Sequence, residues 1–292
     1  MKKLVFLIIM IIAISVTFLI FFSSQYEFSN LKEEKVSQLD IISEFNWNPG
    51  GNRINIDTSG IFLQYTYEEY LNEDMSFRYS WFEPKDESLG IINEMKKEVG
   101  NTVVILPVFT HSAYAQNGFY DFFRGECGEE CLTVKIERFQ PPQYNSGKNA
   151  IQIFKLLGYE MISDIDVHKS PEILTQYDKI ILLHNEYVTK EMFDAIDLHP
   201  NIVYLYPNAL YAEVEYNQQD DEITLVRGHG YPDPSIDNGF DWEFDNTRPY
   251  EFDTKCANWE WREIDNGHQL NCYPEYIVWK DLSLLESMIK NN

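Results

Sequence analysis

Three features of the sequence predict an α/β domain, a three-layer sandwich with a mainly parallel sheet, preceded by an N-terminal transmembrane helix. The first is residues 180–183, Ile-Ile-Leu-Leu, a continuous apolar run of the kind found in strands buried on both faces. The second is the alternation of helical and strand patterns between residues 149 and 206, which implies parallel strands joined by right-handed crossovers. The third is residues 4–22, apolar except for Ser15 and Thr17, because ~19 such residues are enough to cross a bilayer.

The chain divides into three parts on this reading: a membrane anchor or signal segment at 1–24, a polar spacer at 25–47, and an extracytoplasmic domain at 48–292. No A-x-A pattern follows the apolar stretch, which favours an uncleaved anchor over a signal peptide. Lys2 and Lys3 precede it and should stay in the cytoplasm, so either version exports the domain. Within the domain, residues 61–67 and 75–82 alternate loosely and predict paired strands at the edge of the sheet. Residues 88–99 predict a helix, with Ile91, Ile92 and Met95 at core spacing and Gly100 as its stop. A buried strand is expected at 102–108, running into a loop at 110–118. Further strands are expected at 132–138, 159–165 and 201–206. Helices are expected at 149–157, 171–176, 190–197 and 281–290. Beyond residues 223–227 the sequence becomes acidic and rich in loops.

Forty-seven acidic residues against 23 basic ones give a formal charge of −24, which argues against nucleic acid as a partner, since that requires a basic footprint. All four cysteines, Cys127, Cys131, Cys256 and Cys272, fall in the exported part, where disulfides are the default. Zinc prefers C-x₂-C pairs or accompanying histidines, and the spacings here are C-x₃-C and C-x₁₅-C. Three pairings are possible, and local closure favours Cys127–Cys131 with Cys256–Cys272.

The chemistry concentrates where buried strands end. The 180–183 run stops abruptly at His184-Asn185-Glu186, and Thr189 then opens a helix. Ligands of open α/β sheets sit outside the carboxyl ends of the strands. If the strand's alternation continues through the elbow, His184 and Glu186 point the same way, pairing a base with a carboxylate. The plainer reading is an elbow whose polar residues cap the following helix. Tyr114 lies on the loop after the 102–108 strand, and Asn208 follows the 201–206 strand.

These residues carry a resemblance. Gly158-Tyr159 to Asp164, Tyr177-Asp178, His184-Asn185-Glu186-Tyr187, and Asn208 with Tyr211 resemble the amidotransferase-like domain of the N,N-dimethylformamidase large-subunit family, whose elbow reads G-H-x-E-Y-W. Leu183 and Val188 stand in place of that Gly and Trp. Ala113-Tyr114 with Asn117-Gly118 resembles the family's T-x-x-A-Y-N loop, and residues 138–144 resemble its R-P-Y turn. The likeness runs from about residue 103 to 216, leaving the N-terminal and acidic C-terminal parts outside. It implies a flavodoxin- or amidotransferase-like sheet and a single iron held by two tyrosines and a glutamate. On this chain the ligands would be Glu186, Tyr114 and Tyr144, with His184 and Asn208 as catalytic partners. It also implies a small polar amide as substrate. The amidotransferase-like fold suggests a cysteine nucleophile as well, but no cysteine here follows a buried strand between glycines.

The expectation is therefore a cell-membrane, single-pass protein with an extracytoplasmic, metal-dependent hydrolase of amide bonds. Its competitor is a non-catalytic domain of the same fold that binds a small polar ligand or serves the cell envelope. Buried tyrosines usually serve packing, which is the rival account of Tyr114 and Tyr144. Calcium is a lesser expectation at residues 233–239, where Asp233, Ser235 and Asp237 nearly follow a calcium-loop pattern, with the glycine one place late. His229, between two glycines, is within reach of the cleft, but the plainer reading is an exposed residue on a flexible turn.

Overall fold

The computed structural model describes residues 54–72, 75–137, 146–242 and 252–290. The expected anchor, the spacer and Tyr144 lie outside the described residues. Among the described residues, no helix is long and apolar enough to cross a membrane.

The described residues form a mixed α/β architecture with three sheets, one of them largely parallel. The largest is built on β4 (Thr102–Leu106), β6 (Glu160–Ser163), β7 (Lys179–Leu182) and β9 (Ile202–Tyr204), in the order β9-β7-β4-β6 and parallel throughout. All four match strands that the sequence predicts. Val103, Val104, Ile105, Ile180, Ile181, Leu182, Ile202 and Val203 are all completely buried. Each such side chain contributes roughly 1.5–3 kcal/mol of transfer free energy, which makes this sheet the thermodynamic centre of the domain. Beyond β9 the sheet gains β13 (Gly267–Leu270) in parallel and β12 (Trp261–Ile264) antiparallel, both drawn from the acidic C-terminal part.

One expectation about the sheets is corrected. The hairpin of β2 (Phe62–Asn72) and β3 (Met75–Pro84) does not border the parallel sheet; with β1 (Ile54–Asp57) it makes an antiparallel sheet of its own. Period-two alternation specifies a strand without specifying its partner. A second separate sheet joins β5 (Thr133–Lys135), β8 (Tyr187–Val188), β10 (Ala212–Asn217) and β11 (Glu222–Arg227) in the order β5-β11-β10-β8.

The helices follow their signals with local differences. α1 (Leu89–Glu98) buries Ile92 and Met95, but Ile91 points outward and is 42% exposed. α2 (Val108–Ala113) occupies what reads as a loop, and α3 (Phe119–Phe123) follows it. α4 (Lys148–Leu156) precedes β6, and α5 (Asp164–Lys169) begins where β6 was expected to continue. The reason is a capping box at Ser163. Its Oγ accepts from the Asp166 N–H at 3.2 Å, and the Asp166 carboxylate accepts from the Ser163 N–H at 2.9 Å. α6 (Lys190–Asp197) is capped by Thr189 and buries Met192, Phe193 and Ile196, as its spacing predicts. α7 (Leu282–Lys290) closes the domain. Both expected disulfides are formed, Cys127–Cys131 and Cys256–Cys272.

Candidate functional site

The site forms where β4 and β7, neighbours in the parallel sheet, reach their carboxyl ends. After β4 the chain turns at Pro107 into α2. The start of that helix is held by Asp164, whose buried carboxylate accepts the Phe109 N–H at 2.8 Å. Burial pushes the Asp164 carboxyl well above the usual carboxylate range, against the pull of the backbone N–H groups. α2 ends at Tyr114, so this residue is a helix cap rather than part of an open loop. Gly118 then redirects the chain. A Cβ there would lie 2.3 Å from the Ala113 carbonyl oxygen and 2.7 Å from that of Ala115, so only glycine fits the turn that sends α3 back over the site.

After β7 the elbow is fixed by backbone bonds. Asn185 O accepts from Leu210 N–H at 2.8 Å, and Glu186 O accepts from Tyr211 and Ala212 N–H, both at 2.9 Å. The Tyr187 N–H donates to Thr110 Oγ1 at 3.1 Å, tying the elbow to α2. Side chains alternating along this anchored elbow bring His184 and Glu186 to the same side, as expected: His184 Nε2 lies 3.6 Å from Glu186 Oε2.

Glu186 is the centre, 1% exposed. The Tyr114 hydroxyl donates to its Oε2 at 2.7 Å, and the Tyr120 hydroxyl of α3 lies 3.3 Å from its Oε1. The two phenolic oxygens are 2.9 Å apart and their rings stack at 4.4 Å. Burial first, then the Glu186 carboxylate and the neighbouring phenols, hold the Tyr114 hydroxyl well above its ordinary value, so it keeps its proton unless a cation replaces it. His229 closes the other flank. Its Nδ1 is 2.8 Å from the Tyr187 hydroxyl and 4.0 Å from Glu186 Oε1, and its ring packs against Tyr120 and Phe123. Burial pushes its imidazole down to about 4, so it is neutral at neutral pH. The expected exposed turn is thus corrected: the His229 side chain is only 9% exposed and belongs to the site.

Of the residues singled out from sequence, Tyr114, His184 and Glu186 come together. Asn208 sits at the same sheet edge, 6% exposed, and its Oδ1 has no hydrogen-bond partner among the described residues. It makes no hydrogen bond to the other three there. Tyr120 and His229 were not assigned to the site. Their signals were a second tyrosine just past the Asn117-Gly118 turn, and a histidine held between glycines. Among the described residues, no group of three or more His, Cys, Asp and Glu side chains is placed to hold a metal ion. The convergent set here is one carboxylate and two phenols. Asp233 spends its carboxylate on Ser235, accepting its N–H at 2.9 Å and its hydroxyl at 2.7 Å.

The fold and site together define an α/β domain that presents a buried carboxylate, two tyrosines and two histidines at the mouth of a parallel sheet. Residues 91–269 match the family described as N,N-dimethylformamidase beta subunit-like, C-terminal, and the chain belongs to that family. The match reaches further than the resemblance drawn from motifs alone, taking in β12, all but the last residue of β13 and most of the acidic C-terminal part. Nothing among curated proteins matches the chain.

Proposed function

We propose that this domain is a metal-dependent hydrolase of carbon–nitrogen bonds in small polar amides, on an amidotransferase-like, three-layer core resembling that of the dimethylformamidase large subunit. One observation carries the reading: three hard oxygen donors, Tyr114 and Tyr120 from one segment and Glu186 from a distant one, converge within 2.7–3.3 Å of one another. Hard octahedral cations bind oxygen at roughly 2.0–2.1 Å, which sets adjacent ligand oxygens about 3 Å apart, so this donor set fits a single small ion. Two phenolates and a carboxylate balance the charge of Fe³⁺, and iron is the metal we assign. Tyr144, outside the described residues, stays a further candidate ligand. Calcium at 233–239 is the lesser alternative.

The chemistry such an ion supplies is Lewis acidity toward a carbonyl oxygen and a bound water. Tyr114, Tyr120 and Glu186 would hold it. His184 Nε2, beside the Glu186 carboxylate, would carry the proton that the departing amine nitrogen requires. Asn208, with a carbonyl oxygen awaiting a donor, would orient the amide N–H. The buried ring of Tyr187 and the His229 and Phe123 rings exclude bulk water from the cluster.

Export to the cell surface through the segment at 4–22 belongs to the same proposal, supported by two disulfides, which persist in oxidising compartments. A second reading has an observation of its own. With their protons in place, the two phenols already satisfy Glu186, so the cluster is complete as a hydrogen-bonded unit in a non-catalytic ligand-binding domain. Elemental analysis of the purified chain separates the two. About one iron per chain, with a visible tyrosinate-to-iron absorption band and amine release from simple formamides, supports the hydrolase. A metal-free, colourless, inactive chain after growth in iron-replete medium rejects it.

A further inference from the structure

The His184 ring is held on three sides. It lies 5.7 Å from the Tyr114 ring and 5.7 Å from the Tyr206 ring, the latter stacked at 25°, and the Tyr273 ring meets it edge-on at 5.4 Å. Its Nε2 faces Glu186 Oε2 and its Nδ1 lies 3.4 Å from the Tyr273 hydroxyl. At 3.6 Å from Glu186 Oε2, Nε2 is beyond hydrogen-bond reach of a group that can only accept, so the carboxylate biases the imidazole hydrogen toward Nε2 without fixing it there. Nδ1 is then the acceptor and the Tyr273 hydroxyl the donor.

Tyr273 comes from outside the family-matched residues, which end at 269. It directly follows Cys272, whose disulfide to Cys256 is buried, and its N–H donates to Asp253 O at 3.0 Å. On its other side, Glu275 is completely buried; it accepts the Asn149 N–H of α4 at 2.9 Å and the Tyr206 hydroxyl. The backbone on both sides of Tyr273 is therefore anchored, and its hydroxyl meets the one ring nitrogen that does not face Glu186. We infer that Tyr273 is a positioning residue that fixes the Nε2–H tautomer of His184, and that the Cys256–Cys272 bond is the clamp that keeps it there. The consequence for turnover rests on the amidase reading; the tautomer does not.

The test is nitrogen NMR of the full-length chain carrying ¹⁵N-histidine, at a pH where imidazole is neutral, with any iron exchanged for diamagnetic gallium. His184→Gln assigns the His184 signals. The expected wild-type pattern is a pyrrole-type Nε2 and a pyridine-type Nδ1. Tyr273→Phe keeps the ring and should move both signals toward a tautomer mixture, and Cys256→Ser/Cys272→Ser should do the same. If the chain turns over amides, both variants should lower kcat about 10- to 100-fold with KM unchanged, as loss of a supporting hydrogen bond does. Cys127→Ser/Cys131→Ser should change neither the signals nor kcat. If the cysteine pair variant does not fold, Tyr273→Phe decides alone. A wild-type Nδ1–H tautomer, or unchanged signals in Tyr273→Phe, would overturn the inference. A chain without amidase activity whose His184 signals still respond to Tyr273→Phe would reject the hydrolase and leave the positioning role standing.

Discussion

Glu275 sets a pH dependence of stability that can be worked out in advance. Its carboxyl is completely buried at the start of α4, where it accepts the Asn149 N–H at 2.9 Å, the Ala150 N–H at 3.4 Å and the Tyr206 hydroxyl. Burial raises it from its ordinary value of 4.5 to about 7, and those three donors and the Lys148 charge only partly oppose the rise. A folded-state value above the unfolded one means that the native state holds the proton more tightly. The stabilisation is therefore full below 4.5 and is lost as the pH rises through 7. At about 1.4 kcal/mol per pH unit, the gap corresponds to about 3 kcal/mol. For a domain of this size, that is on the order of 6–12 °C in Tm. Other carboxylates titrate in the same range, so the assay compares wild type with Glu275→Gln by thermal or urea unfolding between pH 4 and 8. Glutamine turns a donor toward one of the bonded N–H groups and loses that bond, a constant offset of roughly 1–3 kcal/mol. The difference between the two curves should nevertheless change by about 3 kcal/mol across the window, with wild type losing ground as the pH rises. Parallel curves would mean that the backbone and Tyr206 donors cancel the effect of burial and leave the carboxylate charged at neutral pH.

Three further outcomes follow from the site. Glu186→Ala should abolish metal binding, Tyr114→Phe and Tyr120→Phe should each weaken it about 10- to 100-fold and reduce the visible band, with the double variant colourless, and His184→Ala should retain the metal while lowering kcat, as read by elemental analysis, absorbance and kinetics. A colour that persists undiminished in the Tyr114→Phe/Tyr120→Phe double variant would remove both tyrosines from the ligand set. Asp164 is driven toward its neutral form by burial, so Asp164→Asn should cost little at neutral pH, whereas Asp164→Ala should cost roughly 1–3 kcal/mol in urea unfolding by orphaning the Phe109 N–H. Gly118→Ala should destabilise by roughly 1–3 kcal/mol through backbone displacement and, by shifting α3, weaken metal binding as Tyr120→Phe does.

How much of this was legible depended on the length of the signal. Three of the parallel strands were readable because residues 103–106, 180–183 and 202–205 are continuous apolar runs, whereas β6, Glu-Met-Ile-Ser, is marked only by its place between helical segments. The local disulfides and the shared side of His184 and Glu186 followed from chain geometry alone. The sheet of β5, β8, β10 and β11 was not readable, because β8 is two residues long and β5 three, too short for any period to register. α2 read as a loop because Thr110, His111 and Ser112 are weak helix formers in a six-residue helix without a side-chain cap. His229 was missed for a different reason. It adopts a left-handed backbone at φ 57°, which nothing but its flanking glycines announces, and that conformation turns the ring inward to Tyr187.

The location of the cluster follows from topology more than from any single motif. In the order β9-β7-β4-β6, the chain leaves β4 toward β6 on one side and leaves β7 toward β9 on the other. Right-handed crossovers departing in opposite directions open a crevice between β4 and β7 at their carboxyl ends. Tyr114 comes from the segment after β4, and His184 and Glu186 from the segment after β7, so the two walls of that crevice supply the centre of the site. Parallel strands place the end of β9 on the same edge, which is why Asn208 arrives there too. What topology does not supply is the orientation of each group. α3 brings Tyr120 over the crevice because Gly118 permits the turn. The segment from Cys256 to Glu275, pinned by a disulfide and a buried carboxylate, brings Tyr273 to the back of His184. The sheet thus sets where a site can form, and the short loops packed against its edge determine which atoms face one another.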